Sequence, residues 1–202
     1  MCFYPINREV PSALRADEFV LYPLTAAHVQ IDYEAVMSSK EMLNLWSGSR
    51  WPWPGFTLAD NLKDLEWHDK EHQQRVAFTY TVLDTTEMSC LGCVYIRPLA
   101  DLAADNADKL ENVEADVAMA RFWVRSSRLA DGLDGRLLET LREWFADCWA
   151  FPRVFFHTRK ANRQQVDLFE ASGLERVMTL QIAQRGGIFY FYGDDKQDEI
   201  LD

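Results

Sequence analysis

The chain of 202 residues carries 32 acidic against 21 basic side chains, for a formal net charge of −11, and is 48% hydrophobic. That surface repels phosphate backbones and argues against a nucleic-acid partner, while the apolar fraction suffices for one sizeable core. No run approaches the ~20 apolar residues of a membrane span, residues 1–20 lack the apolar core of a signal peptide, and four scattered cysteines fit a reduced, cytoplasmic chain.

Residues 1–18 read as a polar leader, 19–193 as one domain and 194–202 as an acidic tail. Phe19–Tyr22 is a short apolar run and predicts the first strand. Thr25 is placed to cap a helix whose Val29, Tyr33, Val36 and Met37 share one face. A second short helix carries Met42, Leu45 and Trp46. Ser47–Phe56 holds Trp51-Pro52-Trp53-Pro54-Gly55, whose prolines forbid a helix interior. Thr57-Leu58-Ala59-Asp60 opens a third helix with a capping-box spelling.

Val76–Leu83 and Leu91–Ile96 predict a hairpin around a turn at Asp84–Ser89. Asp101–Glu114 is acidic and reads as an insertion or a disordered loop. Asp116–Val124 predicts a strand. Leu133, Leu137, Leu141, Trp144 and Cys148 then recur at helical spacing and give the clearest amphipathic helix. Arg153–Thr158 predicts a buried strand, Asn162–Ser172 a helix and Leu174–Gln184 a strand. Gly186-Gly187 turns the chain into a last strand, Ile188–Tyr192. The order implies a single α/β domain, one mixed twisted sheet with helices on both faces.

The strand, helix and glycine stop formed by Arg159-Lys160-Ala161-Asn162, Val166, Phe169, Glu170, Gly173 and Leu174, together with the strand-to-helix unit before it, resembles the second half of a GCN5-related N-acetyltransferase (GNAT). The likeness covers about residues 19–193 as a matter of element order. It implies that the strand ending Phe122-Trp123-Val124 splays from the next strand, and that the pantetheine arm of acetyl-CoA, the implied co-substrate, lies in the gap. Trp123 and Val124 would then meet the thioester arm, Gly135 and Arg136 the pyrophosphate, and Asn162 the pantetheine.

The family's pyrophosphate loop reads Gln/Arg-x-x-Gly-x-Gly/Ala. The matching residues here are Ala130 to Gly135, and only Gly135 agrees. Asp131 and Asp134 bring two carboxylates to that loop. Either they repel the pyrophosphate, offset by Arg125, Arg128 and Arg136, or they cap the following helix. Asn162, with Gln165 three residues on, also has near capping-box spacing. Phe169 stands where the family often has a proton-donating tyrosine, and Met119 where it has a glutamate base. His157 and Asp116 are the remaining acid–base candidates. His157 reads either as a base or as a hydrogen-bonded histidine at a strand end.

His68-Asp69-Lys70-Glu71-His72 mimics a zincin helix but reads as a solvated helix end. Cys90-Leu91-Gly92-Cys93 reads as two small buried residues rather than a redox or zinc motif, so no metal site is expected. Trp46, Trp51, Trp53 and Phe56 line an acceptor cleft or pack the outer core. The expected activity is acetyl transfer from acetyl-CoA to a small-molecule amine, with no membrane partner and a homodimer left open. The alternative is a non-catalytic relative that has lost CoA and binds a small molecule or a protein.

Overall fold

The computed structural model describes residues 3–182 and 187–194. One eight-stranded sheet runs in the order β1 (Leu14–Arg15), β2 (Phe19–Pro23), β3 (Phe78–Asp84), β4 (Cys90–Pro98), β5 (Ala118–Val124), β6 (Val154–Arg159), β8 (Gly187–Gly193) and β7 (Glu175–Ile182). Every neighbouring pair is antiparallel except β5 and β6. A helical crossover is what a parallel pair requires, and it is supplied here by α6 (Leu133–Cys148).

Helices cover both faces. On one lie α1 (Val29–Ser38), α2 (Lys40–Ser47) and α3 (Leu58–Gln73); on the other lie α6 and α7 (Arg163–Ala171). Two single-turn helices, α4 (Ala107–Leu110) and α5 (Ser126–Leu129), complete the set. β5 is buried along its whole length, so its residues alternate between two cores rather than between core and water. Ala118, Ala120, Phe122 and Val124 face α6 and α7. Met119 and Trp123 face the opposite side.

The third helix opens as its spelling predicts: Thr57 Oγ1 accepts from the Asp60 amide, and Asp60 Oδ2 accepts from the Thr57 amide. At Thr25 the chain instead enters a 3₁₀ turn, Ala26–His28, before α1, with His28 Nδ1 accepting from the Thr25 amide. Of the five residues that mark α6, Leu133, Leu137, Leu141 and Trp144 are buried while Cys148 is exposed.

Three local expectations are corrected. Asp101–Glu114 is not a disordered insertion: a 3₁₀ turn (Leu99–Asp105) and α4 cover the β7–β8 end of the sheet. Leu99 and Leu110 are buried there, and Asn106 Nδ2 donates to Leu102 O and Gln181 O. An apolar residue at each end of the segment pins what its acidity suggested was solvated. Asp116 sits in a turn ahead of β5 rather than within it. Asn162 stands at the N-cap of α7 but makes no capping bond; its amide donates to Gln165 Oε1 and Thr158 Oγ1 instead.

The N-terminal stretch read as a leader supplies Phe3 and Tyr4 to the core, where Tyr4 meets Trp149 edge-on at 5.2 Å and its hydroxyl accepts from the Ala150 amide. The expected Gly186-Gly187 turn lies partly, and residues 195–202 of the acidic tail wholly, outside the described residues. No helix among the described residues is long and apolar enough to cross a membrane.

Candidate functional site

β5 and β6 pair at only three positions, Ala118↔Val154, Met119↔Phe155 and Ala120↔Phe156. Beyond them the strands part. Arg125 N–H donates to Leu91 O across the β4 side, so by antiparallel alternation the main-chain groups of Phe122 and Val124 turn towards the gap. A glycine permits the close approach of β4 here: a Cβ on Gly92 would fall 2.1 Å from Trp123 O.

Side chains crowd the gap. Phe122 O accepts from Gln165 Nε2 at 3.0 Å and from Trp46 Nε1 at 2.7 Å. Gln165 in turn accepts from Thr158 Oγ1 of β6 at 2.8 Å, so one carboxamide bridges the two parted strands. The space left between Phe122, Trp123, Val124, Asn162 and Gln165 is about 30 Å³, which is room for about one water.

Above the gap, α2 is tied down by its C-terminal carbonyls. Arg121 Nη2 donates to Trp46 O at 2.7 Å and Arg159 Nη1 to Leu45 O at 2.9 Å, while the Arg121 guanidinium lies 3.5 Å over the Trp46 ring. Two cations at a helix C-terminus suit its dipole, and the stacked arginine adds a cation–π contact.

On the α1–α3 side opens a cleft of about 630 Å³. Trp46, Trp51, Trp67 and Tyr95 give it aromatic walls, Asp32, Asp64, Asp101 and Asp105 give it carboxylates, and Arg97, Arg121, His68 and His157 complete the polar set. Burial pushes the Asp64 carboxyl up from its ordinary range, against the bond from Trp51 Nε1 at 3.3 Å. Arg97 Nη1 donates to both Glu71 oxygens, at 3.1 and 3.0 Å, and His68 Nδ1 lies 3.5 Å from the carboxylate. Burial alone would raise the Glu71 carboxyl, but the His68 bond and the Arg97 charge outweigh it, and the group falls below its ordinary value.

His157 reaches the cleft from β6. It is buried, with its ring stacked on Phe191 at 4.9 Å and 7°. Asp116 does not line the cleft, so the two acid–base candidates are not brought together. Trp123, Val124 and Asn162 do border the gap. Trp51 helps wall the cleft, where the Trp51–Pro52 bond is cis; Phe56 is buried, and Trp53 lies edge-on to it.

The loop before α6 is its own ligand. Gly132, in the left-handed region, holds the N-cap, and Asp134 Oδ1 accepts from the Gly135 amide at 3.0 Å, where an anion would otherwise sit. Gln164 Nε2 reaches the other Asp134 oxygen at 3.4 Å. The three neighbouring arginines are committed to acids: Arg125 to Glu34, Arg128 to Asp131 and Arg136 to Glu18. The parted strands turn main-chain groups towards the place a thin extended arm would take, but Gln165 and Trp46 fill it, and the loop as it stands does not fit a pyrophosphate.

Sequence reasoning missed Arg121, Gln165 and Asp64, and it set His68 aside as solvated. A signal existed for Arg121, an arginine amid the apolar run of β5. None existed for Gln165, whose partner carbonyl is 43 residues away.

No protein-family model and no curated protein sequence matches this chain. Solved structures do. A ribosomal-protein-S5-alanine acetyltransferase from Vibrio fischeri superposes with a TM-score of 0.68 at 13% identity, covering 96% of this chain and 100% of that one. The microcin C7 self-immunity acetyltransferase MccE, solved with acetyl-CoA and AMP, gives 0.69 at 16%, over 92% and 97% of the two chains. The aminoglycoside acetyltransferase AAC(6')-Ib, solved with coenzyme A, gives 0.64 at 20%, over 89% and 96%. This chain therefore shares its fold with these GNAT acetyltransferases.

Proposed function

We propose that this chain is an acetyl-CoA-dependent N-acetyltransferase acting on a small cationic amine. The observation that carries the reading is the parting of β5 and β6 after three paired positions, beside a 630 Å³ cleft whose walls include Met119, Arg121 and His157 at the fork. An extended thioester arm laid against Phe122 and Val124 would take up the Phe122 carbonyl that Gln165 and Trp46 now satisfy. The diphosphate end would rely on Arg125, Arg128 and Arg136 exchanging their carboxylate partners for phosphate.

The acceptor class follows from the cleft. Trp46, Trp51, Trp67 and Tyr95 offer π-faces to a cation, and Asp64, Asp101 and Asp105 offer it charge. Structural neighbours acetylate acceptors as different as ribosomal proteins and aminoglycosides, so the small amine is argued from this cleft alone.

In the transfer, the amine nitrogen attacks the thioester carbonyl. A C–N bond forms, the C–S bond breaks, and the nitrogen's proton leaves through a cleft base. We take His157, beside the fork, as that base, with His68 and Asp64 as the other candidates lining the cleft. Phe169 supplies no proton, so the leaving thiolate would take its proton from water. Rate enhancement would then rest chiefly on positioning.

A second reading is favoured by Asp134 on the Gly135 amide and by the doubly satisfied Phe122 carbonyl. In it the chain keeps the fold without CoA and binds a ligand or a protein. Titration calorimetry with acetyl-CoA separates the two, together with thermal unfolding in its presence. At 100 times the Kd, binding adds about 2.7 kcal/mol to stability. Absence of heat and of any shift at millimolar acetyl-CoA would overturn the enzyme reading.

A further inference from the structure

Residues three apart on a regular strand face opposite sides. Cys90 and Cys93 escape that rule. Pairing of β3 with β4 passes from Val82↔Gly92 to Leu83↔Cys90, so Leu91 is the extra residue of a bulge, and both cysteines turn into the layer beneath α1–α3. Asp32 of α1 comes down on the pair. Its Oδ1 lies 3.4 Å from Cys93 Sγ and 3.9 Å from Cys90 Sγ, and the three donor atoms fall within 4.8 Å of one another.

The cluster is buried: Asp32 is 3% exposed, Cys90 0% and Cys93 1%. A carboxylate in such a place is costly unless a counter-charge accompanies it. Two sulfurs and one carboxylate form a donor set suited to zinc. Tetrahedral ligands at the zinc–sulfur and zinc–oxygen distances stand about 3.5 Å apart, and the two oxygen–sulfur separations here bracket that value.

Two further features fit. Asn61 Nδ2 donates to Asp32 Oδ2 at 2.8 Å, leaving Oδ1 on the sulfur side; a hydrogen bond that orients a ligating carboxylate is the usual outer shell of such a site. Asp32 and Asn61 also line the cleft, whereas the sulfurs lie behind them. The cluster therefore borders the cleft through Asp32 and Asn61, and an ion would reach it from that side.

We propose that Asp32, Cys90 and Cys93 form a zinc site with three protein ligands and a fourth position open to the cleft, held in register by Asn61. Binding displaces the two thiol protons to solvent, so the zinc is taken up as two thiolates and one carboxylate with no change of oxidation state. Since the fourth position opens into the acceptor cleft, a water or an acceptor heteroatom completes the tetrahedron. The site stands whether or not the chain binds acetyl-CoA.

The test uses the full chain, reduced and stripped with a chelator, titrated with Co²⁺ alone. The expected result is one equivalent bound, a sulfur-to-cobalt charge-transfer band, and loss of the band on adding one equivalent of Zn²⁺. Cys90→Ser and Cys93→Ser each weaken the band and the binding, Cys148→Ser leaves both unchanged, and Asn61→Leu lowers affinity by about 10–100-fold. Circular dichroism of each metal-free variant reports its folding. Should a serine variant not fold, the wild-type band decides, because its intensity scales with the number of thiolates bound. A folded wild-type chain without the band overturns the site, as does a wild-type band of one-thiolate strength or one that keeps its full intensity in either serine variant.

Discussion

Trp46 donates its indole N–H to Phe122 O at 2.7 Å across 76 residues of sequence. The contact places the C-terminal end of α2 over the place where β5 and β6 part. Gln165 reaches the same carbonyl from the opposite layer. One acceptor thus ties together α2, β5 and α7, and through Thr158 the strand β6. An extended ligand entering the gap competes directly with these two side chains.

Gln165→Ala should therefore act in opposite directions on folding and on binding. Thr158 loses its buried partner, and stability falls by about 1 kcal/mol, the usual worth of such a bond, read as a lowered urea midpoint at unchanged slope. Acetyl-CoA binding, measured by calorimetry, should tighten, because Phe122 O is left with one competing donor. A variant that binds acetyl-CoA more weakly than the parent would show that Gln165 supports the ligand instead of blocking it.

The loop before α6 gives a second prediction. Asp134 occupies the Gly135 amide with its own carboxylate. Asp134→Ser keeps a side chain able to accept from a helix amide and removes the charge. Acetyl-CoA affinity should rise by roughly three- to tenfold, the equivalent of about 1 kcal/mol. The gain should shrink at high salt, as it must if repulsion is the defect. An unchanged Kd at low ionic strength would remove charge as the explanation.

The elements were legible where one residue type recurs on one face. Leu133, Leu137, Leu141 and Trp144 announce α6 and are buried there; the alternation in β5 ends at Val124 as expected. The three-residue pairing of β5 with β6 matches the fork that the family resemblance implied. The filling of the fork is not local. Trp46, Arg121 and Gln165 meet only after three elements converge, and nothing in their spacing foretells it. Cys90 and Cys93 are the two small buried residues that their spelling suggested; regular alternation would place the sulfurs on opposite faces, and the bulge against Val82 and Leu83 brings them together.

Gly92 carries a third prediction. A Cβ there would stand 2.1 Å from Trp123 O and 3.2 Å from Val124 Cα, both main-chain atoms that cannot swing aside. Gly92→Ala forces β4 from β5 at the end nearest the fork. Stability should fall by about 1–3 kcal/mol, as for overpacking elsewhere, and chemical denaturation measures it. An alanine variant as stable as the parent would mean that the strands separate there at no cost.

A fourth prediction concerns acid. The Glu71 carboxyl is held below its ordinary value by His68 and Arg97, which outweigh its burial. A carboxyl depressed in the folded state contributes stability that is present above its unfolded pKa and lost as the pH falls through the folded value. Glu71→Gln keeps the shape and removes that dependence. At neutral pH the variant should be less stable by about 1–2 kcal/mol, since a charged hydrogen-bonded pair with Arg97 is broken. Below the ordinary glutamate range the parent's advantage should narrow towards zero. Stability of the two proteins against pH, followed by urea titration at each point, gives the difference curve; a gap constant from neutrality into the acid range would assign the role of Glu71 to packing and not to charge.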